Sequence, residues 1–275
     1  MTAQNLDLKA TTYEVRDRVA IITLNRPDRG NAWTGRMHAD YRACLAAAEA
    51  DETVRAIVVT GAGKSFCVGG DSQALEGHGE RGNYDDGLRG DEAMPGYGVR
   101  DEFDTHLAYH FGLSKPVVAA INGPVAGIGL ALACFADVRI AEPGKKFTTA
   151  HGKLNFPAEY GLSWLLPRLI GLSRATELLL TSRVFLSEEA NQIGLVHSIA
   201  EPGNALNDAL DFAAALITTV SRRSLAETRR QIYTDLHRSV RESVEESLVL
   251  TNEMTSEPDF LKGVSAMIER RSPDF

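Results

Sequence analysis

Short apolar runs alternate with helical patterns along the first half of the chain. Four such runs predict buried strands, at residues 19–24, 54–60, 116–121 and 138–141. The segment that begins at Tyr13 leads through a turn at Asp17-Arg18 into the first run, 19–24. This arrangement predicts a hairpin in which 19–24 is the return strand. Helices are predicted from Thr34 towards Glu49, from Asp71, over 103–113 and over 130–136, and an irregular stretch is predicted from 142 to 162. Strands that alternate with helices are typical of an α/β fold.

The last third of the chain carries a helical pattern. Val240, Val244 and Leu248 recur every four residues, as they do on one face of a helix. The segment Ser256-Glu257-Pro258-Asp259 predicts a capped helix start. These patterns predict a core over residues 1–200 and a helical subdomain over 201–275, which would dock partners or close a pocket.

Residues 77–99 differ from the segments on either side. They contain seven glycines, many charges and few apolar side chains, which indicates a mobile surface loop. The loop could be a tolerated insertion or a lid over a pocket. We favour the insertion for most of it, because glycine and charge alone do not make a lid.

Composition and charge narrow the function classes. The chain has 275 residues, of which 44% are hydrophobic, and a formal charge of −8, which disfavours nucleic acid as the main partner. Its three cysteines, Cys44, Cys67 and Cys134, form no disulfide pattern and fit a reducing cytoplasm. No apolar leader opens the chain, and polar and glycine residues interrupt the apolar stretch 116–136, so we expect no signal peptide and no membrane span.

Two glycine-bearing segments carry the candidate chemistry. Residues 65–72 (SFCVGGDS) and 122–129 (NGPVAGIG) each follow an apolar strand and precede a predicted helix. A strand that turns through glycine into a helix leaves backbone N–H groups free at the turn. Two such turns can direct two N–H groups at one oxygen, which is the geometry of an oxyanion hole.

These turns and their surroundings resemble the enoyl-CoA hydratase/isomerase (crotonase) superfamily from about Tyr13 to the end of the chain. The resemblance lies in LNRPDRGNAW at 24–33, GAGKSFCVGGDS at 61–72, KPVVAAINGPVAGIGLALACFADVRIA at 115–141, WLLPRLIG at 164–171, EANQIGLV at 189–196 and DFLKGVSAMIERRSPDF at 259–275. It implies an α/β spiral of ββα units, with C-terminal helices that assemble homotrimers or hexamers made of two trimers.

The resemblance also implies an acyl-CoA thioester as substrate, with coenzyme A as part of that substrate and no separate cofactor. The oxyanion donors would be the backbone N–H groups of Gly70 and Ile128. Many members of the family have glycine where this chain has Ile128, so the turn must keep an ordinary φ there. The acyl-CoA contacts would come from Arg29, Ala32, Val68, Gly70, Asp71 and Ile128, with Arg29 and Ala32 towards the nucleotide end.

The reaction depends on the side chains that face this oxyanion hole. Hydratases of the family use two glutamates, and their positions here hold Ala131 and His151. A third position, where several isomerases and dehalogenases of the family carry their carboxylate, holds Glu159. The apolar surroundings of Glu159 would raise its pKa and suit it to proton transfer near neutral pH. One carboxylate suffices for isomerisation, so a double-bond shift is the favoured reaction.

Several alternatives stay open at this point. Glu159 could instead cap the helix that follows it. His151 could be a second acid/base group, a substrate contact or a packed side chain. The chain could be a hydratase that uses Glu159 and His151, a hydrolase, dehalogenase or C–C lyase, or a non-catalytic acyl-CoA binder.

Three other candidates carry simpler interpretations. Asp71 is expected to cap the next helix, and Cys67 is expected to be a core residue and not a nucleophile. His106 and His110 are spaced for one face of a helix, but no third ligand is apparent, so we assign no metal.

Overall fold

A computed structural model describes residues 6–275 and confirms the α/β class. Its strands are β1 (Thr11–Arg16), β2 (Val19–Leu24), β3 (Ala56–Gly61), β4 (Val117–Ile121), β5 (Val125–Ala126), β6 (Val138–Ala141), β7 (Lys146–Thr148), β8 (Phe185–Leu186) and β9 (Ser198–Ile199). Its α-helices are α1 (Gly35–Ala50), α2 (Ser72–Arg81), α3 (Ile128–Phe135), α4 (Leu162–Ile170), α5 (Leu172–Thr181), α6 (Ser187–Gln192), α7 (Ala205–Thr219), α8 (Arg222–Thr234), α9 (Val240–Thr255) and α10 (Pro258–Ile268).

The larger sheet has six strands in the order β1-β2-β3-β4-β6-β9. Strands β1 and β2 form the predicted antiparallel hairpin, and Tyr13 lies opposite Ile22. Asp17 and Arg18 both have positive φ, which gives the two-residue turn the twist that a hairpin needs. The remaining neighbours in this sheet are parallel. The carboxyl ends of β3 and β4 therefore lie at the same edge of the sheet, where both glycine turns begin.

A second, three-stranded sheet has the order β5-β7-β8. Strand β5 belongs to the second glycine turn, and Val125 pairs with Phe147 of β7. The prediction of an irregular stretch over 142–162 was therefore wrong in part, because it contains β7 and a short 3-10 helix at His151–Leu154. These elements bring the chain back beside the start of α3.

One helix prediction and one loop prediction need correction. Residues 101–113 form two short 3-10 helices, Asp101–Phe103 and His106–Gly112, and not one α-helix. The second is packed closely, because a β-carbon on Gly112 would lie 2.7 Å from the carbonyl carbon of Gly96. Helix α2 continues to Arg81, so the first five residues of the predicted 77–99 loop are helical.

The hydrophobic core lies on both faces of the larger sheet. Helix α7 covers one face with Ala205, Ala209, Ala213 and Ile217, which pack with Val58 and Val118. The other face is buried by α1, α3 and α4. The division of the chain at residue 200 stays a prediction.

The ends of the C-terminal helices follow local signals in part. Helix α9 begins at a capping box formed by Ser239 and Glu242. Helix α10 begins after Glu257 with Pro258 in its first turn, but no side chain caps it, so the predicted cap is wrong. No helix within residues 6–275 combines the length and the apolar character that a membrane crossing requires.

Candidate active site

The two glycine turns lie side by side and are joined by backbone hydrogen bonds. Cys67 N donates to Pro124 O over 3.2 Å, and Ala126 N donates to Cys67 O over 3.0 Å. A β-carbon on Gly129 would lie 2.8 Å from Cβ of Cys67 and would overlap its carbonyl group. Glycine is therefore required at 129 so that the start of α3 can approach the first turn.

The first turn is held from its other side by Trp33. Trp33 N donates to Gly69 O over 2.8 Å, and Asp71 N donates to Trp33 O over 3.0 Å. This parallel bridge uses the backbone oxygen of Gly69 and the N–H of Asp71, on either side of Gly70. The N–H of Gly70 itself takes no part in the bridge. The position of Gly70 is thus fixed while its donor stays available.

The N–H groups of Gly70 and Ile128 accordingly lack an intrachain acceptor within the part of the chain that the structure describes. Both residues line one cleft of about 120 Å³. Gly127 takes the positive φ of +50° that the second turn requires, so Ile128 keeps an ordinary φ as the first residue of α3. The amino end of α3, with its partial positive charge, faces the same cleft.

Glu159 reaches this cleft from the segment before α4. A β-carbon on Gly127 would lie 3.7 Å from Oε1 of Glu159 and 3.9 Å from Cα of Gly69. The Glu159 carboxylate is half-buried, and burial raises its pKa above the ordinary value of 4.5. The carboxylate therefore lies beside both turns in a setting that favours its protonated form.

The alternative in which Glu159 caps α4 is not supported. Gly161 is the residue before the helix, and no side chain caps it. Leu162 N donates to the backbone oxygen of Glu159 over 3.1 Å. Within residues 6–275 the side chain of Glu159 forms no capping hydrogen bond to α4. The carboxylate is therefore free for another role.

The two positions of the missing glutamates differ from each other. Ala131 is buried inside α3 and lies away from the lining of the cleft. His151 is buried, lines the cleft, and its Nδ1 has no hydrogen-bond partner within the described residues. His151 thus brings an unsatisfied polar atom to the cleft, whereas Ala131 brings none.

Asp71 caps α2, as the sequence predicts. Its Oδ1 accepts from Gln73 N over 3.0 Å, and its Oδ2 accepts from Arg26 Nη2 over 2.9 Å. Burial alone would raise its pKa, but hydrogen bonds from Arg26 and Gln73 and the charges of Arg26 and Arg29 lower it. Asp71 is therefore a charged structural residue at the edge of the cleft.

The other predicted binding residues surround this ion pair. Arg29 Nη2 lies 3.4 Å from Asp71 Oδ1. Ala32 is buried, and its carbonyl accepts from Arg26 Nη1 over 2.6 Å. Val68 is exposed and lines the cleft. Arg26 was missed at the sequence level, because it lies 45 residues before Asp71 and no local pattern joins the two.

Residues 77–99, called the glycine-rich loop below, contribute Tyr84, Asp85 and Asp86 to the cleft wall. The hydroxyl groups of Tyr84 and Tyr160 form a hydrogen bond. The interpretation of this loop as an insertion is therefore incomplete for residues 84–86. The sequence did not identify Tyr160 either, although it directly follows Glu159. For the rest of residues 77–99 the tolerated insertion stays a prediction.

The remaining candidates have structural surroundings. Cys67 is fully buried, and burial raises the pKa of its thiol to about 12, which fits a core residue. The His110 ring pairs with the Tyr41 hydroxyl at 2.8 Å, and burial lowers its pKa to about 4. His106 lies 3.7 Å from Asp86. Across the described range 6–275, no group of three or more His, Cys, Asp or Glu side chains is arranged to hold a metal.

Comparison with known proteins shows similarity to one protein family. The family model described as enoyl-CoA hydratase/isomerase matches residues 14–275. A protein of Mycobacterium tuberculosis named "probable enoyl-CoA hydratase" is 36% identical over 267 residues, which cover 94% of this chain and 90% of that protein. An Escherichia coli protein named 1,2-epoxyphenylacetyl-CoA isomerase is 32% identical over 270 residues, which cover 95% and 96%.

Solved structures agree in fold. A crystal structure described as a "probable enoyl-CoA hydratase/isomerase" from Mycobacterium abscessus superimposes with a TM-score of 0.82 at 29% identity. The match covers 96% of this chain and 98% of that one. The crotonase-like architecture with a helical C-terminal region is therefore confirmed.

Proposed function

This chain belongs to the enoyl-CoA hydratase/isomerase family, and we propose that it shifts a carbon–carbon double bond within an enoyl-CoA thioester. The position of the Glu159 carboxylate carries the proposal. It lies 3.7 Å from the β-carbon position of Gly127, in the cleft that Gly70 and Ile128 also line. A thioester oxygen on the two N–H groups would place the neighbouring carbon atoms near this carboxylate.

The first step is removal of a proton. Glu159 accepts a proton from the carbon next to the thioester carbonyl of a 3-enoyl-CoA, and the electron pair of that C–H bond spreads into the carbonyl. The oxygen gains negative charge, which the N–H groups of Gly70 and Ile128 and the amino end of α3 stabilise. These donors act most strongly when the charge has formed, so they lower the barrier.

The second step returns the same proton. Protonated Glu159 donates to the γ carbon, the double bond moves into conjugation with the carbonyl, and the carboxylate is restored. No second acid is needed. The raised pKa of Glu159 supports this role because a carboxyl group with a pKa nearer to neutrality both accepts and returns a proton readily.

Hydration is the second candidate, and His151 favours it. Its buried Nδ1 lacks a partner and lies in the same cleft as Glu159, so it could hold the water that adds across the double bond. The names of the relatives divide between hydratase and isomerase. Hydrolase, dehalogenase and lyase reactions are further alternatives, and non-catalytic binding is one that the experiment below separates.

The substrate contacts follow from the same assignment. We propose that Arg29, Ala32, Val68 and Asp71 line the path of coenzyme A towards the cleft, and that coenzyme A enters as part of the substrate with no separate cofactor. We also propose a homotrimer, alone or paired as a hexamer. Exposed apolar residues on α9 support assembly, because Val240, Val244 and Leu248 are 80%, 52% and 65% exposed in the single chain.

The test is an assay of the purified protein with 2-enoyl-, 3-enoyl- and 3-hydroxyacyl-CoA. We expect the wild-type protein to turn over 3-enoyl-CoA. The rate of this reaction should be at least about 100-fold lower in Glu159→Gln. Glu201→Gln, a change of an exposed glutamate that precedes α7 and lies outside the cleft lining, is the control and should keep full activity. Water addition to 2-enoyl-CoA without isomerisation would favour the hydratase. Thermal stabilisation by acyl-CoA without any turnover would favour the binder.

A further inference from the structure

We propose that a long unbranched acyl chain occupies an apolar channel that begins at Glu159 and ends at His237. The inference rests on the proposed use of this cleft for an acyl-CoA. It names the class of acyl group, which the family assignment leaves open.

The channel begins in a second cleft on the far side of Glu159. This inner cleft measures about 520 Å³ and shares Glu159 and Tyr160 with the cleft of the oxyanion donors. Its walls are mainly aromatic and apolar, and they include Leu107, Phe135 and Phe156. The two clefts also share Tyr84 and Phe156, so an acyl group whose thioester lies on Gly70 and Ile128 would enter the inner cleft past these four side chains. The reacting carbons would thus lie at Glu159 and the rest of the chain beyond it.

An outer cleft of about 300 Å³ adjoins the inner cleft. The two share Ala108, Phe135 and Gly161, which form the junction between them. The outer cleft is lined by Phe111 and other aromatic side chains. The Phe111 ring lies 5.1 Å from that of Phe135 and 5.9 Å from that of Trp164, so one aromatic wall passes from the junction into the outer cleft. An apolar surface therefore continues through both clefts.

The outer cleft reaches the surface of the single chain. Glu102 and His237 line it, and both are exposed residues. A longer acyl group could extend to the surface past these two residues.

The arrangement in two connected clefts favours a flexible chain over a compact ring. A ring would fill the inner cleft and leave the outer one to water, whereas an alkyl chain can pass the junction and exclude water from both. Burial of one methylene group strengthens binding by about fourfold, since it contributes about 0.8 kcal/mol. Affinity should therefore rise with chain length beyond the point at which the inner cleft is full.

The test measures binding of saturated acyl-CoA thioesters by titration calorimetry, because these probes bind without reacting. We expect dodecanoyl-CoA to bind at least about 100-fold more tightly than butyryl-CoA. Ala108→Phe should fill the junction and reduce this ratio at least tenfold, with butyryl-CoA affinity changed less than about twofold. Ala215→Phe, on the exposed face of α7, is the matched control and should leave the ratio unchanged. Ala108→Leu gives a smaller obstruction if the phenylalanine variant does not fold.

Two results would overturn the channel: equal affinity of the wild type for the C4 and C12 probes, or a C4-to-C12 ratio that both Ala108 variants leave unchanged. Tighter binding of phenylacetyl-CoA than of dodecanoyl-CoA would replace the chain with a ring. These results are independent of the isomerase proposal. Affinity that rises steeply with chain length, without turnover of 3-enoyl-CoA, would reject isomerisation and keep the channel. Turnover of 3-enoyl-CoA with equal affinity for short and long chains would keep isomerisation and reject the channel.

Discussion

The carboxylate of Glu159 and the backbone of Gly127 are immediate neighbours. A β-carbon on Gly127 would lie 3.7 Å from Oε1 of Glu159 and 3.9 Å from Cα of Gly69. Gly127 also precedes Ile128, and its positive φ turns the chain into α3. The absence of a side chain at Gly127 thus serves two purposes, since it permits the turn and leaves space beside the carboxylate.

Gly127→Ala should damage both stability and activity. The substitution places an L-residue at φ +50° and ψ −121°, which should cost about 1–3 kcal/mol in the free energy of unfolding. The added methyl group would also contact the Glu159 carboxylate, so kcat/KM should fall at least tenfold. Urea unfolding and steady-state kinetics measure the two effects.

Gly144→Ala is the matched control for this prediction. Gly144 also has a positive φ, of +69°, but a β-carbon there would meet no atom within 4 Å. It should therefore lower stability by about 1 kcal/mol and leave kcat/KM unchanged. Wild-type kinetics in Gly127→Ala would show that the Gly127–Glu159 contact has no role in the reaction.

The pH dependence of the reaction should reflect the burial of Glu159. The base form is the carboxylate, so kcat/KM should fall as the pH is lowered through the raised pKa of this group. The midpoint of this acid limb should lie above 4.5, the value of an ordinary glutamate. A pH–rate profile with 3-enoyl-CoA measures it. A midpoint at or below 4.5 would mean that a different group controls the rate.

The same burial predicts a gain in stability on removal of the charge. The folded state raises the pKa of Glu159, so the protonated form is favoured on folding, and this contribution is lost as the pH rises through that pKa. Glu159→Gln should therefore raise the melting temperature more at pH 8 than at pH 4. Thermal unfolding at the two pH values measures the difference, and an equal shift at both would contradict it.

Tyr84→Phe should weaken the wall between the glycine-rich loop and the segment that carries Glu159. The hydroxyl groups of Tyr84 and Tyr160 are hydrogen-bonded across this wall. Loss of this hydrogen bond should raise KM a few-fold with little change in kcat. Tyr97→Phe is the control, because Tyr97 lies on the Tyr109 ring, 5.9 Å away, outside the cleft lining. Identical KM values in the two variants would exclude a role for the hydroxyl pair.

Gly129→Ala should be far more destabilising than other glycine substitutions in helices. The new methyl group would overlap the carbonyl of Cys67, so the two glycine turns could not stay in contact, at a cost of about 3 kcal/mol or more in unfolding free energy. Gly263→Ala, in α10, would place its methyl group 3.8 Å from Phe275 and should be neutral or stabilising by up to about 1 kcal/mol. Urea unfolding of both variants measures the contrast.

Local sequence signals predicted many elements near the site correctly. The Asp17-Arg18 hairpin, the Asp71 cap of α2 and the ordinary φ of Ile128 depend on neighbouring residues, so pattern and turn chemistry suffice to place them. The 103–113 segment was misjudged: it forms two short 3-10 helices in place of one α-helix. A residue far along the chain contacts its backbone, since Arg229 donates to the backbone oxygens of His110 and Leu113.

The amino-acid pattern was enough to predict the α/β order of the elements, the two glycine turns and the family resemblance. Which side chains meet at those turns depends on how the whole chain packs. Glu159 lies 32 residues beyond Gly127, and Tyr84 lies 76 residues before Tyr160. Contacts at such separations arise when strands and helices pack into a core. The side-chain volumes and backbone hydrogen bonds of the whole fold set these contacts, and no local pattern contains them.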